Sequence, residues 1–480
     1  MFIGREDELR SLKNLSQKLT SSLVVITGRR RIGKSSLVKE FAKTQERYLE
    51  FAGLPPSPST SKQDQLDEFI KQLQSQTKLR YDRITDWSDA FRLLADEAKK
   101  GEVLIFLDEI TWMGSMDHTF LGKLKNAWDL HFKANKRLTL ILCGSISAWI
   151  DKNILSSTGF LGRVSLEIIL EELPLHCCNE FWGSTRDRVT AYEKLKLLSV
   201  TGGVPRYLEE IQPELTAEEN IQNLCFNRQG ILYKEFDRIF SDLFDHSYAI
   251  YRDIVRLLVK GPLTLADIYK GLDRSKNVHI TETLDNLEKS GFIERNFTWN
   301  LKGRQVSKLS KFRISDNYIR FYLKYIEPNK HLIEKGLFEF RDLSLLPSWL
   351  SIMGLQFEQL AINNYKTIHR ALNINPLEIL SSNPFFQTKT KGREGCQIDY
   401  LIHTRFDTLY VCEIKFSRKP IGAAIVEEVE EKLSRLKKPK GFSVRPVLIT
   451  VNEVSDELLS LRYFDKIIYF EEFLKPTSTA

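Results

Sequence analysis

Four methionines, eight histidines and six cysteines in 480 residues leave little material for thiolate or imidazole metal chemistry. Cys143, Cys177, Cys178, Cys225, Cys396 and Cys412 form no CxxC pair and no Cys/His spacing that would wrap a zinc ion. A zinc finger and a disulfide framework are therefore excluded, and reduced thiols are expected. His176 beside Cys177 and Cys178 is a small local cluster and is not expected to hold a metal. No apolar run approaches the roughly 18 residues needed to span a bilayer, and the opening MFIGREDELR shows no basic-then-apolar leader. A cytoplasmic chain without a membrane partner is the expectation. Acidic residues fall short of basic ones by seven, and the shortfall is uneven: Tyr251 to Arg320 holds fourteen Lys/Arg against eight Asp/Glu. Such an excess suits a polyanionic partner without establishing one.

What is present is ordinary globular material, 42% hydrophobic and 28% charged, in a chain longer than one core usually organises. Near its start, SLVVITGRRRIGKSSLVKEF reads as strand, glycine loop and helix. Gly28-x-x-x-x-Gly33-Lys34-Ser35 has the spacing of a phosphate loop. Its N–H groups turn inward at a helix N-terminus, Lys34 reaches β/γ phosphates and Ser35 ligates Mg²⁺. The cofactor-binding stretch is Gly28, Arg29, Arg30, Arg31, Ile32, Gly33, Lys34, Ser35 and Ser36, with the three arginines expected to turn toward solvent. GEVLIFLDEITWMG supplies a buried strand ending in Asp108 and Glu109. Asp108 would hold the Mg²⁺ through water, and Glu109 would orient and deprotonate the attacking water. RLTLILCGSISAWI ends a further strand at Ser145, which either senses the γ-phosphate or caps the next helix. Arg163, just before another strand, is either a transition-state cation, acting in cis or from a neighbour in a homo-oligomer, or solvated surface charge.

FIGREDEL, GRRRIGKSSL, LIFLDE, LILCGS, LGRV and TGGVPRYLEEI, in that order, resemble the prokaryotic, originally archaeal, ATPases of the AAA+/STAND group. The resemblance covers about the first 210 residues and implies ATP as cofactor. It also implies that Phe2 to Glu6 lies near the adenine, that Gly203 and Pro205 begin a helical lid, and that Arg206 reports on nucleotide.

From Ser247 to Arg295 the pattern is helix, a Gly261-Pro262 break, a short helix, and a longer one with Ile280, Leu284 and Leu287 toward the core. A hairpin turning at Lys302-Gly303-Arg304 follows, giving a winged helix-turn-helix. If it binds DNA, Lys276, His279 and Thr283 face a groove and Arg304, Lys308 and Lys311 meet phosphates. The other reading is a packing module with a solvated basic face. Tyr318, Phe321, Tyr322 and Tyr325 keep helical spacing and are expected in a core.

QIDYLIHTRFDTLYVCEIKF, residues 397–416, reads as a hairpin with its turn near Phe406. That register sets Asp399 opposite Glu413, with Lys415 on the face of Glu413. Two readings follow: a cation site, or the wet side of an amphipathic hairpin. With Glu358 on a preceding helix, the order resembles the PD-(D/E)XK nuclease superfamily over about Ser351 to Val454. The resemblance implies Mg²⁺ or Mn²⁺ on Asp399 and Glu413, Lys415 activating water, and Glu358 supporting the site. The expected architecture is α/β: a P-loop NTPase parallel sheet (1–175), a helical lid (176–246), a winged helix-turn-helix (247–316), a helical connector (317–350) and a restriction-endonuclease-like C-terminal domain (351–480). The expected partners are ATP and DNA.

Overall fold

The computed structural model describes residues 2–55, 57, 59–145, 148–244, 248–273, 278–340, 342–391 and 394–476. The chain divides into two compact units, Met1–Glu172 and Leu173–Ala480.

The first unit is built on β1 (Ser22–Gly28), β2 (Arg47–Ala52), β3 (Val103–Asp108), β4 (Leu138–Ser145) and β5 (Val164–Leu170), all parallel, in the order β2-β3-β4-β1-β5. Every residue of β1 is buried, as a parallel strand covered on both faces must be. Strand alternation sends its residues to opposite cores. Leu23 and Val25 join the aromatic cluster of Phe69, Trp87, Phe91 and Phe120, while Val24 and Ile26 meet Leu37, Val38 and Phe41 of the helix Lys34–Ala42. The loop after β1 is thus anchored from both sides, at the carboxyl edge of the sheet where such folds receive ligands.

The second unit begins with helices, among them Ala191–Thr201, Pro205–Leu208, Ala217–Cys225 and Ile231–Phe244. The helix Tyr248–Leu258 follows, then β6 (Leu263–Thr264), the helices Leu265–Gly271 and Val278–Lys289, β7 (Ile293–Asn300) and β8 (Gln305–Ile314), in an antiparallel sheet of order β6-β8-β7. Ile280, Leu284 and Leu287 are fully buried, as their spacing requires, and Tyr318, Phe321, Tyr322 and Tyr325 lie in the core. A buried polar knot holds this region. Arg320 donates to the Gln356 side-chain oxygen at 2.7 Å and to the Ile314 carbonyl at 3.1 Å, and the Gln356 amide donates to the carbonyls of Ser199 and Asn317.

The C-terminal sheet is mixed, ordered β13-β12-β11-β10-β9, from β9 (Ile379–Gln387), β10 (Cys396–Thr404), β11 (Thr408–Lys415), β12 (Ser443–Thr450) and β13 (Lys466–Tyr469). The helix Trp349–Asn363 packs against β11 and the helix Ala424–Arg435 against β10. The hairpin of β7 and β8 docks on β9: Trp299 stands edge-on to Phe385 at 5.1 Å, and the Thr298 hydroxyl donates to the Phe386 carbonyl. Among the described residues all six cysteines are free and buried, and no helix is long and apolar enough to cross a membrane.

Candidate functional site

The loop between β1 and the helix Lys34–Ala42 is shaped by two glycines for different reasons. Gly33 has φ 89°, a left-handed conformation that a side chain would strain, and it lets the helix start with its N–H groups facing the loop. Gly28 instead permits close approach: a Cβ there would lie 2.8 Å from the Leu170 carbonyl oxygen of β5. The buried Lys34 ammonium donates to the carbonyls of Gly28 and Arg29 at 3.0 and 3.1 Å. The Ser35 hydroxyl donates to the Asp108 carboxylate at 2.6 Å. Ile32 is wholly buried, whereas Ser36 is exposed.

Glu109 occupies a left-handed conformation (φ 49°, ψ 50°) at the head of the short helix Ile110–Met113. A non-glycine residue there costs roughly 1–3 kcal/mol, and such strain collects at functional sites. Burial raises its carboxyl above the ordinary range, against the pull of the Lys34 charge; Asp108 adds to the rise, and the Ser145 backbone N–H, directed at the carboxylate, opposes it. Loop, Ser35, Asp108, Glu109 and Ser145 therefore converge. A hydroxyl and a carboxylate oxygen 2.6 Å apart beside a phosphate loop are a donor pair that fits Mg²⁺.

Two expectations are corrected in this unit. The loop arginines do not face solvent: Arg29 is buried and paired with Glu172 at 3.1 Å, and Arg30 and Arg31 are half-buried. The Arg30 charge is felt at Glu109. Arg163 is neither a loose surface cation nor directed at the loop. It grips Asp129 of the helix Phe120–Leu130 with Nε and Nη2 at 2.8 to 3.2 Å, and its hydrogen bonds hold that carboxyl down at about 2. Arg5, unassigned by itself in the sequence, clamps the loop by donating to the carbonyls of Ile32 and Glu171 at 3.2 and 2.6 Å.

In the second unit Arg206 pairs with Glu209 and Glu210. Of the expected DNA contacts, Lys276 lies outside the described residues, and Thr283 is buried with its hydroxyl on the His279 carbonyl. Arg304 pairs with Asp407 at 2.7 Å, and Lys311 donates to Gln397 and lies over the Phe386 ring. His279 and Lys308 are exposed, but so are Glu282 and Asp285 on the same helix as His279. Arg304 and Lys311 are committed to the C-terminal sheet, with which the hairpin shares an apolar interface through Trp299 and Leu301.

In that sheet Tyr400 faces Cys412 and His403 faces Leu409, a register that one further step continues to Asp399 and Glu413. The Asp399 carboxylate accepts from the Ile414 backbone N–H at 2.9 Å. Burial raises the Asp399 carboxyl well above the ordinary range, and Glu413 and Glu358 push the same way. Three features differ from expectation. Both faces of the hairpin are covered, so Glu413 is buried rather than on a wet side. Lys415 turns away and pairs with Glu428 at 2.5 Å. The ammonium between the acids belongs to Lys432, which binds Glu413 and lies 3.8 Å from Asp399. Burial opposes the Lys432 charge, yet Asp399 and Glu413 outweigh it and hold its ammonium above the ordinary range. Glu358 pairs with Arg313 of β8 at 3.0 Å, and a small cleft there is lined by Lys311, Arg313, Glu358, Phe386, Gln397 and Asp399. Lys432 already compensates the acids, and there is no group of three metal-ligating side chains among the described residues, so a divalent cation would have to displace Lys432 from Glu413.

Lys432 had a signal in the sequence. Ile425, Val429 and Leu436 mark the inward stripe of their helix, and Lys432 falls on it at spacings of three and four. A lysine on an apolar stripe calls for a buried acid.

Residues 2–211 match the family model of an ATPase domain predominantly from Archaea. An uncharacterized protein of Methanocaldococcus jannaschii is 27% identical over 368 residues, which is 75% of this chain and 76% of its own. The Walker-type ATPase of Pyrococcus abyssi has a similar fold, with a TM-score of 0.50 at 18% identity, covering 67% of this chain and 96% of its own. The ORC2 protein of Aeropyrum pernix gives 0.40 at 15% identity, over 69% and 94%. The first 211 residues thus carry an archaeal-type ATPase domain on a P-loop parallel-sheet fold.

Proposed function

We propose that this protein binds and hydrolyses ATP and acts on DNA, with nucleotide state controlling what its nuclease-like C-terminal domain does there. The observation that carries the nucleotide chemistry is the Ser35 hydroxyl on Asp108, with Lys34 on the loop and Glu109 one residue further on. Ser35 and Asp108 would hold Mg²⁺, which when bound would supply charge neutralisation at the phosphates. Lys34 leaves the loop carbonyls for phosphate oxygens, the loop N–H groups hold the anion, and Glu109 takes a proton from the attacking water. Phosphate release by the purified chain, beside Lys34→Ala and Glu109→Gln, tests this. Turnover unaffected by either substitution would end it.

Residues 248–314 are read as a winged helix-turn-helix, supported by the order helix, short strand, two helices and hairpin. It serves as a brace for the C-terminal sheet, since Arg304 and Lys311 are spent there. The C-terminal domain binds DNA without cutting it while Lys432 sits on Glu413. Metal-dependent cleavage is the second reading, favoured by two buried acids meeting beside an ammonium. Incubation of plasmid and single-stranded DNA with Mg²⁺ or Mn²⁺, with and without ATP, separates the two. Cleavage lost in Glu413→Gln establishes a nuclease; intact DNA throughout leaves a nucleotide-driven binding switch.

A further inference from the structure

The positive charge of this protein is not spent evenly. In the β7–β8 hairpin Arg304, Lys311 and Arg313 are taken up by Asp407, Gln397 and Glu358, and Lys302 and Lys308 stay exposed. Beside the C-terminal sheet, two loops carry Lys389, Lys391, Lys437, Lys438 and Lys440, and the helix Ala424–Arg435 ends in Arg435, all exposed. Lys389 pairs with Glu394 and Arg435 with Glu431, while Lys391, Lys437, Lys438 and Lys440 pair with no carboxylate among the described residues.

These lysines are distant in sequence but share one surface because of a buried glutamine. The Gln387 amide, at the end of β9, donates to the carbonyls of Glu394 and Arg435 at 2.7 and 2.9 Å, and its oxygen accepts from the Lys437 backbone N–H at 3.0 Å. One side chain therefore ties the loop after β9 to the loop after the helix Ala424–Arg435. The surface also adjoins the acid site. Cys396 donates from its thiol to the Lys432 carbonyl, and the Lys432 ammonium reaches Glu413 and Asp399.

We infer that this lysine surface, joined by Gln387, is where the protein grips the phosphate backbone of DNA. The inference rests on the DNA-acting reading above and relocates the contact from the winged unit to the C-terminal sheet. Unpaired like charges held close together repel one another, and a polyanion relieves that repulsion while releasing its own counterions. Contact there is with phosphates and not base edges, so binding is indifferent to sequence and steeply dependent on salt. DNA is bound beside the acids that Lys432 joins, rather than along the helix Val278–Lys289, whose exposed face bears Glu282 and Asp285.

The test is anisotropy of fluorescent duplex and single-stranded DNA with the full chain across a salt series. Three proteins are compared: wild type, the triple variant Lys437→Gln/Lys438→Gln/Lys440→Gln, and the hairpin variant Lys302→Gln/Lys308→Gln. The triple variant is expected to bind at least tenfold more weakly and to lose about two to three from the slope of log K against log salt, at roughly 0.9 per phosphate contact. The hairpin variant is expected to stay within about twofold of wild type, and hydrogen-exchange protection of β10 and β11 equal to that of wild type confirms that each variant is folded there. A triple variant that binds as wild type does, with the hairpin variant weakened, overturns this surface and leaves DNA action standing. Wild type that binds neither DNA at low salt overturns both.

Discussion

Replacing Lys432 with methionine removes the only ammonium that the described residues place between Asp399 and Glu413 while keeping most of the side chain's volume. Taking one partner from a buried ion pair usually costs about 3–5 kcal/mol, because the remaining charge is stranded. Here the Lys432 side chain is 29% exposed, which admits some water, and Asp399 is already biased toward its protonated form. Both reduce the penalty, to about 2–3 kcal/mol near neutral pH. Hydrogen exchange of β10 and β11 peptides reads this directly, since local opening scales with local stability. Protection is expected to fall roughly 30- to 150-fold, at tenfold per about 1.4 kcal/mol. The pH dependence fixes the cause. Asp399, held above its ordinary range by burial, Glu413 and Glu358, is pushed further up in the variant by loss of the ammonium, so stability is full at low pH and is lost as pH rises through its folded value. The deficit relative to wild type should therefore be small at about pH 5 and large at about pH 8, and Lys432→Arg should restore most of the protection. Equal protection of wild type and Lys432→Met at both pH values, or a larger deficit at the lower one, refutes the claim that Lys432 compensates these acids.

Glu109→Gln should leave nucleotide affinity within a few-fold while lowering turnover by about 10²–10⁴, the usual share of a general base; equal loss of binding and turnover would assign Glu109 a structural part instead. Arg163→Ala is expected to leave single-site nucleotide affinity within about twofold, since its guanidinium is engaged with Asp129; a large loss, by titration with labelled ATP, would return it to the site. His369, against the Tyr400 hydroxyl at 3.1 Å, is pushed down to about 4 by burial. Its ring stays neutral in the fold while the unfolded chain takes up a proton, so stability present above about pH 6.5 is lost as pH falls toward about 4. Full linkage would be roughly 3 kcal/mol, cut to about 2 kcal/mol because the ring edge keeps some water contact. Thermal melts at about pH 7 and pH 5 should show a smaller fall for His369→Phe than for wild type, and parallel falls would remove His369 from the account.

The two ends of this chain were unequally legible, and the difference lies in how local the determinants are. Gly33, Lys34 and Ser35 follow one another along a single turn, so spacing alone predicts their convergence on a phosphate. Asp108 could be placed because a buried parallel strand ends in only one direction, toward the ligand edge of the sheet. Arg29 was misjudged for want of long-range information: its partner Glu172 lies beyond β5, and no periodicity in the loop announces it. At the other end the hairpin register near Phe406 was readable from a two-residue period, yet burial was not. Alternation tells apart two faces only when one of them is wet, and here helices cover both. Strand alternation sets Lys415 on the face of Glu413, and Glu428 on the neighbouring helix takes it away. The replacement, Lys432, was visible as an amphipathic anomaly, a cation on the inward stripe between Val429 and Leu436. An anomaly of that kind states that a buried acid must exist without saying which. Only the packing of that helix on β10 selects Asp399 and Glu413, and with that selection a pattern legible as a cation site becomes one that carries its own cation.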